Sequence, residues 1–136
     1  TVACFVRPGV VLAQVRADRG HRDDGMLAEN LRRLRAATDA EGRRLEAVEL
    51  PGPADRIADG KTLPLSYVNF AFAGAPGRRG AVIVPVFDDP ADSGAIATLA
   101  ALFPERDVVA VPAIDIFVGG GGIHCITQPV PAPFQT

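Results

Sequence analysis

Residues 119–128 read Gly-Gly-Gly-Gly-Ile-His-Cys-Ile-Thr-Gln, and this stretch carries the most specific signal for fold and chemistry in the chain. Four consecutive glycines remove every side chain from a short piece of backbone, so that a ligand or another strand can approach it closely. Cys125 follows in a short β-prone segment. A thiol held beside an open, glycine-lined space is placed as a nucleophile would be, although a lone cysteine is more usually a buried structural residue.

The composition of the chain limits the classes of function that it can have. The chain has 136 residues, enough for one domain with a core, and 48% are apolar while 22% are charged. A net charge of −2 without a basic, aromatic-rich cluster argues against nucleic acid as a partner. No apolar run is long enough for a bilayer and no signal pattern is visible, so we expect no membrane partner. Two cysteines do not form a disulfide framework, and a cytoplasmic location suits a reactive thiol.

Outward from the glycine run, the sequence predicts an α/β chain in which a ββαβ unit occurs twice. We assign residues 1–50 to the first unit, with strands at 2–6, 10–15 and 44–50 and a helix at 24–38. Leu27, Leu31 and Leu34 give that helix one apolar stripe. We assign residues 66–112 to the second unit, with strands at 67–72, 81–87 and 107–111 and a helix from about 88 to 103.

Three further segments complete the predicted organisation. Residues 51–65 are polar and rich in proline and glycine, which is typical of a linker between units. Residues 113–128 are expected to hold the glycine loop and a catalytic strand, with strands at 114–118 and 123–127 on either side of the glycines. Residues 129–136 contain three prolines and are expected to be an irregular tail.

The run GGGGIHCITQ resembles the C-terminal motif of the agmatine deiminases and the related bacterial-type peptidylarginine deiminases. The resemblance continues upstream in the same order and with similar spacing, in CFVRPGVVL at 4–12, ENLRRLRAATDAEGRRLE at 29–46, LSYVNF at 65–70 and VIVPVFDDPAD at 82–92. Members of that family are much longer. The resemblance therefore implies that this chain is a C-terminal fragment of a single deiminase domain.

The resemblance also implies a fold. Deiminases of this type place five ββαβ units around a pseudo-fivefold axis, in a pentein-like α/β-propeller. This chain would form a partial propeller, with about two of the five blades plus the catalytic strand. Repeated units need neighbours to cover their faces, so we expect self-association, with a homo-oligomer as one outcome.

The chemistry implied is hydrolysis of a guanidinium C–N bond, without metal or cofactor, through an amidino-cysteine formed at Cys125. The expected small-molecule substrate is agmatine, which would yield N-carbamoylputrescine and ammonia, with arginine or peptidylarginine as the alternatives. Gly120, Gly121 and Gly122 are expected to contact the substrate, and Asp18 is a candidate carboxylate at a strand end. The family's general acid/base histidine lies in a GHxD motif just before the segment that begins at Thr1 here. We therefore expect the 136-residue chain alone to be inactive or nearly so.

Three rival interpretations stay open at this point. Cys4, His21, His124 and Cys125 have the residue types of a zinc site but lack the usual CxxC or HxxxH spacing. The glycine run as a phosphate loop lacks a following Lys-Ser or Lys-Thr and precedes a predicted strand. A non-catalytic, truncated propeller domain that associates with another chain is the third.

Two polar neighbours of the motif have less certain roles. On a strand, adjacent side chains point to opposite faces, so His124 would point away from Cys125 and have a structural role. Asn69 is a polar residue within an apolar predicted strand, and a buried amide needs hydrogen-bond partners. We expect Asn69 mainly to satisfy backbone groups, with orientation of the glycine loop as the alternative.

Overall fold

The first sheet takes its order from a tight turn and a helical crossover. The computed structural model describes residues 1–16, 21–74 and 79–130. Strands β1 (Ala3–Arg7) and β2 (Val10–Val15) pair antiparallel across a turn in which Gly9 has a φ of 74°, a conformation that favours glycine. Helix α1 (Asp24–Ala36) then leads to β3 (Glu46–Pro51), which pairs parallel to β2. Parallel neighbours need such a crossover, and α1 buries Leu27 and Leu31 as the apolar stripe predicts.

The segment between the two sheets contains a small hairpin. Strands β4 (Ile57–Ala58) and β5 (Lys61–Thr62) pair antiparallel there. The side chain of Arg56, just before the hairpin, donates to the carbonyl oxygens of Phe87 (3.3 Å) and Asp88 (3.0 Å). The predicted linker therefore packs against the second unit.

The second sheet repeats the order of the first. Strands β6 (Ala71–Ala73) and β7 (Gly80–Val86) pair antiparallel, and after helix α2 (Asp92–Leu102) strand β8 (Arg106–Pro112) pairs parallel to β7. The first strand of this unit is shorter than predicted, because residues 66–69 form a turn. The Ser66 hydroxyl accepts a hydrogen bond from the Val68 amide (3.2 Å), and such local bonds compete with strand pairing.

A hydrophobic core cluster contains residues of both sheets. It includes Leu12 and Leu50 from the first sheet and Val82 and Val84 from the second. Phe87 lies between two other rings, with its centroid 5.3 Å from that of Tyr67 and 5.2 Å from that of Phe117. The core therefore extends from the sheets to the segment before the glycine run.

The strands predicted on either side of the glycines are wrong. Residues Ile114–Val118 form a short helix, α3, and residues 123–126 form a turn. A short apolar run does not distinguish helix from strand by itself. Here the helix buries Phe117 against Phe87, and Gly119 ends it by donating its N–H to the Ile116 carbonyl (3.1 Å). Cys125 therefore lies in a turn and not on a catalytic strand.

The propeller arrangement of the repeated units stays a prediction. In the parts of the chain that are described, the two three-stranded sheets are separate and neither closes on itself. The repeated ββαβ order agrees with the predicted α/β class, but the number of blades is not tested. Within the same residues, no helix has both the length and the apolar character needed to cross a bilayer.

Candidate active site

The glycine run and the turn after it place the Cys125 thiol at the surface. Gly120, which follows α3, has a φ of 94° that side-chain-bearing residues rarely adopt, and its N–H donates to the Phe117 carbonyl (3.0 Å). The turn itself is closed by the Ile126 amide, which donates to the Gly122 carbonyl (3.2 Å). Ile123 anchors the turn in the interior, while Cys125 is exposed. The thiol is therefore accessible from solvent.

Asn69 connects this turn to the second sheet. Its side chain is only 3% exposed. Its Oδ1 accepts a hydrogen bond from the His124 backbone N–H (2.8 Å), and its backbone oxygen accepts from the same N–H (3.1 Å). Its Nδ2 lies 3.3 Å from Cys125 Sγ and donates to it. The predicted role of Asn69 in satisfying the backbone is observed, and its direct contact with the sulfur is an addition to it.

Two of the glycines leave space that this arrangement needs. A Cβ on Gly121 would lie 3.0 Å from Cys125 Cβ. A Cβ on Gly122 would lie 2.5 Å from Asn69 Cγ and 2.5 Å from Phe117 Cζ, much closer than real atoms approach. The glycines therefore allow the thiol, the amide and the Phe117 ring to pack together. Their expected contact with a substrate is not tested.

Hydrogen bonds favour the thiolate form of Cys125. The backbone of Gly122 lowers the pKa of the Cys125 thiol most, and the Asn69 amide is the second cause. A lowered pKa and an exposed sulfur are the two properties that make a cysteine reactive.

Cys4, the other cysteine, has the opposite environment. It lies on β1 opposite Leu12, and burial raises the pKa of its thiol to about 11. Neither cysteine is in a disulfide. The two thiols therefore differ in environment: Cys125 is exposed with a lowered pKa, and Cys4 is partly buried with a raised pKa.

A cavity of about 420 Å³ lies beside the turn. His124 and Gln128, on either side of Cys125 in the chain, contribute to its lining. The remaining lining is mainly apolar and includes Phe5 and Phe72, which are 60% and 50% exposed. Cys4 also lines this cavity and Cys125 does not, so the cavity lies beside the turn but its wall does not include the Cys125 thiol.

The remaining candidate residues from the sequence are Asp18 and His21. Asp18 lies outside the described residues. The Nε2 atom of His21 lies 2.8 Å from Asp55 Oδ2, and its Nδ1 accepts from the Asp23 backbone (3.1 Å). Arg16 donates to the other oxygen of Asp55 (3.0 Å). Burial alone would raise the pKa of Asp55, but the hydrogen bonds from His21 and Arg16 outweigh it and hold that pKa below its usual value.

The zinc interpretation gains no support from this geometry. Asp55 and the Asp23 backbone engage both ring nitrogens of His21. In the described ranges, His, Cys, Asp and Glu side chains do not form a group of three or more that could hold a metal ion.

The chain is similar to known proteins over almost its whole length. A family model for Porphyromonas-type peptidyl-arginine deiminase matches residues 1–131. One relative, from Streptomyces avermitilis, has a name that contains the words agmatine deiminase. It is 48% identical over 130 residues, and the match covers 96% of this chain and 36% of that protein. The agmatine deiminase of Stutzerimonas stutzeri is 40% identical over 149 residues, again covering 96% of this chain and 39% of the relative.

A solved structure extends the likeness to three dimensions. The agmatine deiminase of Enterococcus faecalis superposes with a TM-score of 0.82 at 30% identity, and the match covers 93% of this chain and 38% of that one. The chain thus spans less than two-fifths of the length of these relatives. Because the family match extends over nearly every residue, the chain belongs to the Porphyromonas-type peptidyl-arginine deiminase family.

Proposed function

We propose that this chain supplies the nucleophilic part of a guanidinium deiminase and that its substrate is agmatine. The observation that carries the proposal is the Cys125 thiol, which is exposed and has a pKa lowered by hydrogen bonds from Gly122 and Asn69. Relatives named agmatine deiminase support the choice of agmatine over arginine and peptidylarginine.

The proposed reaction has two halves. The Cys125 thiolate attacks the guanidinium carbon, forming a C–S bond and a tetrahedral adduct. One amino group takes a proton and leaves as ammonia with the electrons of its C–N bond, which gives an amidino-cysteine. Water then adds to the same carbon, the C–S bond breaks, and N-carbamoylputrescine and the thiolate are released.

The reaction needs a general acid and base for the ammonia and the water. His21 is engaged by Asp55 and by the Asp23 backbone. The relatives are more than twice as long as this chain. We therefore propose that the proton-transfer histidine and the carboxylates that bind the guanidinium come from outside these 136 residues.

The test is covalent labelling with 2-chloroacetamidine, whose amidinium group mimics the substrate, followed by peptide mass spectrometry. We expect one adduct, on Cys125, which persists in Cys4→Ala and is absent in Cys125→Ala. Equal labelling of both cysteines, or no labelling of Cys125, would overturn the proposal.

A second measurement tests whether the 136-residue chain is active by itself. The chain incubated with agmatine should release ammonia no faster than Cys125→Ala does. Rapid ammonia release that depends on Cys125 would show that the chain is sufficient. Faster release from arginine or a peptidylarginine substrate would replace agmatine as the substrate.

A further inference from the structure

Strand β8 of the second sheet has a free edge that is long and uncharged at its centre. The strand spans Arg106–Pro112 and pairs with β7 on one side, and no strand of the described residues lies on its other side. The central run Val-Val-Ala-Val at 108–111 carries no charge, and Val109 is 45% exposed. A free edge of this kind is a template for pairing with another strand.

The other free edges in the described ranges are interrupted, charged or short, which are common ways of preventing edge pairing. Strand β1 changes register between Phe5 and Arg7, and this irregularity interrupts its edge. Strand β3 carries Glu46 and Glu49 and ends at Pro51. Strand β6 has three residues, and the two strands of the hairpin have two each. The central run of β8 has none of these protections.

The backbone groups of Val108 and Ala110 point outward from the edge of β8. The Ala113 N–H donates to the Val86 carbonyl (3.1 Å), so the odd-numbered residues at this end of β8 turn their backbone groups toward β7. Successive residues of a strand point their N–H and C=O groups to opposite sides. The N–H and C=O groups of Val108 and Ala110 therefore face away from β7 and can pair with a new strand.

The same strand of a second copy can satisfy all of these groups. In an antiparallel pair centred on Val109, Val108 of each copy lies opposite Ala110 of the other, and opposite residues of this kind exchange both of their hydrogen bonds. The charges agree with this register. Arg106 and Asp107 lie at the start of β8, so antiparallel pairing places the charges of the two copies at opposite ends of the new ladder.

We propose that β8 is a self-association edge at which two copies of this chain pair antiparallel about a twofold axis at Val109. The second sheets of the two copies then form one continuous sheet, and the exposed side of each Val109 is covered by its counterpart. Pairing along a single edge buries a small area, so the dimer is weak and dissociates on dilution.

Charge substitutions at Val109 test the register, because the twofold axis places each new charge opposite its own copy. We expect the 136-residue chain to change from monomer to dimer with rising concentration in sedimentation velocity. Val109→Lys and Val109→Glu should each stay monomeric, since like charges directly opposite destabilise a strand pair. When the two variants are mixed, opposite charges meet, and native mass spectrometry should detect the heterodimer by its mass.

Ile57→Lys is the matched control. It adds the same charge at an apolar residue that is 74% exposed on the hairpin, so its dimerisation should equal that of the parent. Ala110→Pro is a second variant that adds no charge. Proline removes the outward N–H while the bonds to β7 remain, so this variant should also be monomeric. Circular dichroism establishes folding for each variant.

Three results would overturn the inference. The parent could stay monomeric at every concentration. A dimer could persist in folded Val109→Lys or Ala110→Pro, which would place the contact on another surface, such as the exposed rings of Phe5 and Phe72. The mixed Val109 variants could fail to associate, which would exclude the twofold register. Labelling of Cys125 by chloroacetamidine is independent of all three, so the proposed function stands or fails separately.

Discussion

Gly122→Ala tests whether the site depends on close packing around the glycine run. The added Cβ would lie 2.5 Å from both Asn69 Cγ and Phe117 Cζ, and both side chains are buried. Overpacking of this kind costs about 1–3 kcal/mol, and two buried contacts place this case near the upper end. The alanine also restricts the unfolded chain, which offsets roughly 0.5–1 kcal/mol of this cost. We therefore expect a net loss of about 2 kcal/mol in the free energy of unfolding.

Urea denaturation measures this loss. With a slope of about 2 kcal/mol per molar urea, the midpoint should fall by about 1 M. Gly94→Ala in α2 is the matched control, because its Cβ would meet no atom within 4 Å. Replacing this glycine, in the first turn of the helix, should leave the stability unchanged or raise it by up to about 0.5–1 kcal/mol. A midpoint in Gly122→Ala equal to that of the parent would refute the packing argument, and so would an equal fall in both variants.

Two further predictions concern the other thiol and a buried hydroxyl. The Cys125 thiolate persists above its lowered pKa and is lost as the pH falls through it, whereas Cys4 has a pKa of about 11. Iodoacetamide at pH 7–8 should therefore modify Cys125 well before Cys4 in peptide maps, and comparable rates would contradict the assigned environments. Tyr67→Phe removes the hydroxyl that donates to Asp92 Oδ1 at 2.7 Å, while the Phe87 amide still donates to Asp92. We expect a loss of about 1–2 kcal/mol by urea denaturation, and no measurable loss would show that the bond is not stabilising.

The sequence predicts most of the regular elements because their signals are local. Residues 10–15 and 81–87 are apolar runs, and both coincide with strands buried in the core. The leucine stripe predicts α1 and the side that it buries. Helix α2 begins at Asp92, four residues later than expected, because the Asp89 side chain accepts from the Ala91 amide (2.9 Å) before the first helical turn.

The geometry of the site could not be predicted in the same way. The run Ile114–Val118 has no local feature that excludes a strand, and the contact of Phe117 with Phe87 accompanies the helix instead. Asn69 could be noticed as a polar residue in an apolar segment. Its partner at Cys125 is 56 residues away, however, and no spacing rule connects the two. Asp18 lies outside the described residues, so its candidate role stays a prediction.

The distance along the chain between Asn69 and Cys125 has a consequence for biosynthesis. A polypeptide that is still emerging from the ribosome has not brought these two residues together, so its sulfur is an ordinary, weakly acidic thiol. We expect the contribution of Asn69 to the lowered pKa of the Cys125 thiol to arise only when the turn docks on the residue 66–69 segment. We therefore expect the rate of alkylation at Cys125 to report whether this turn has docked.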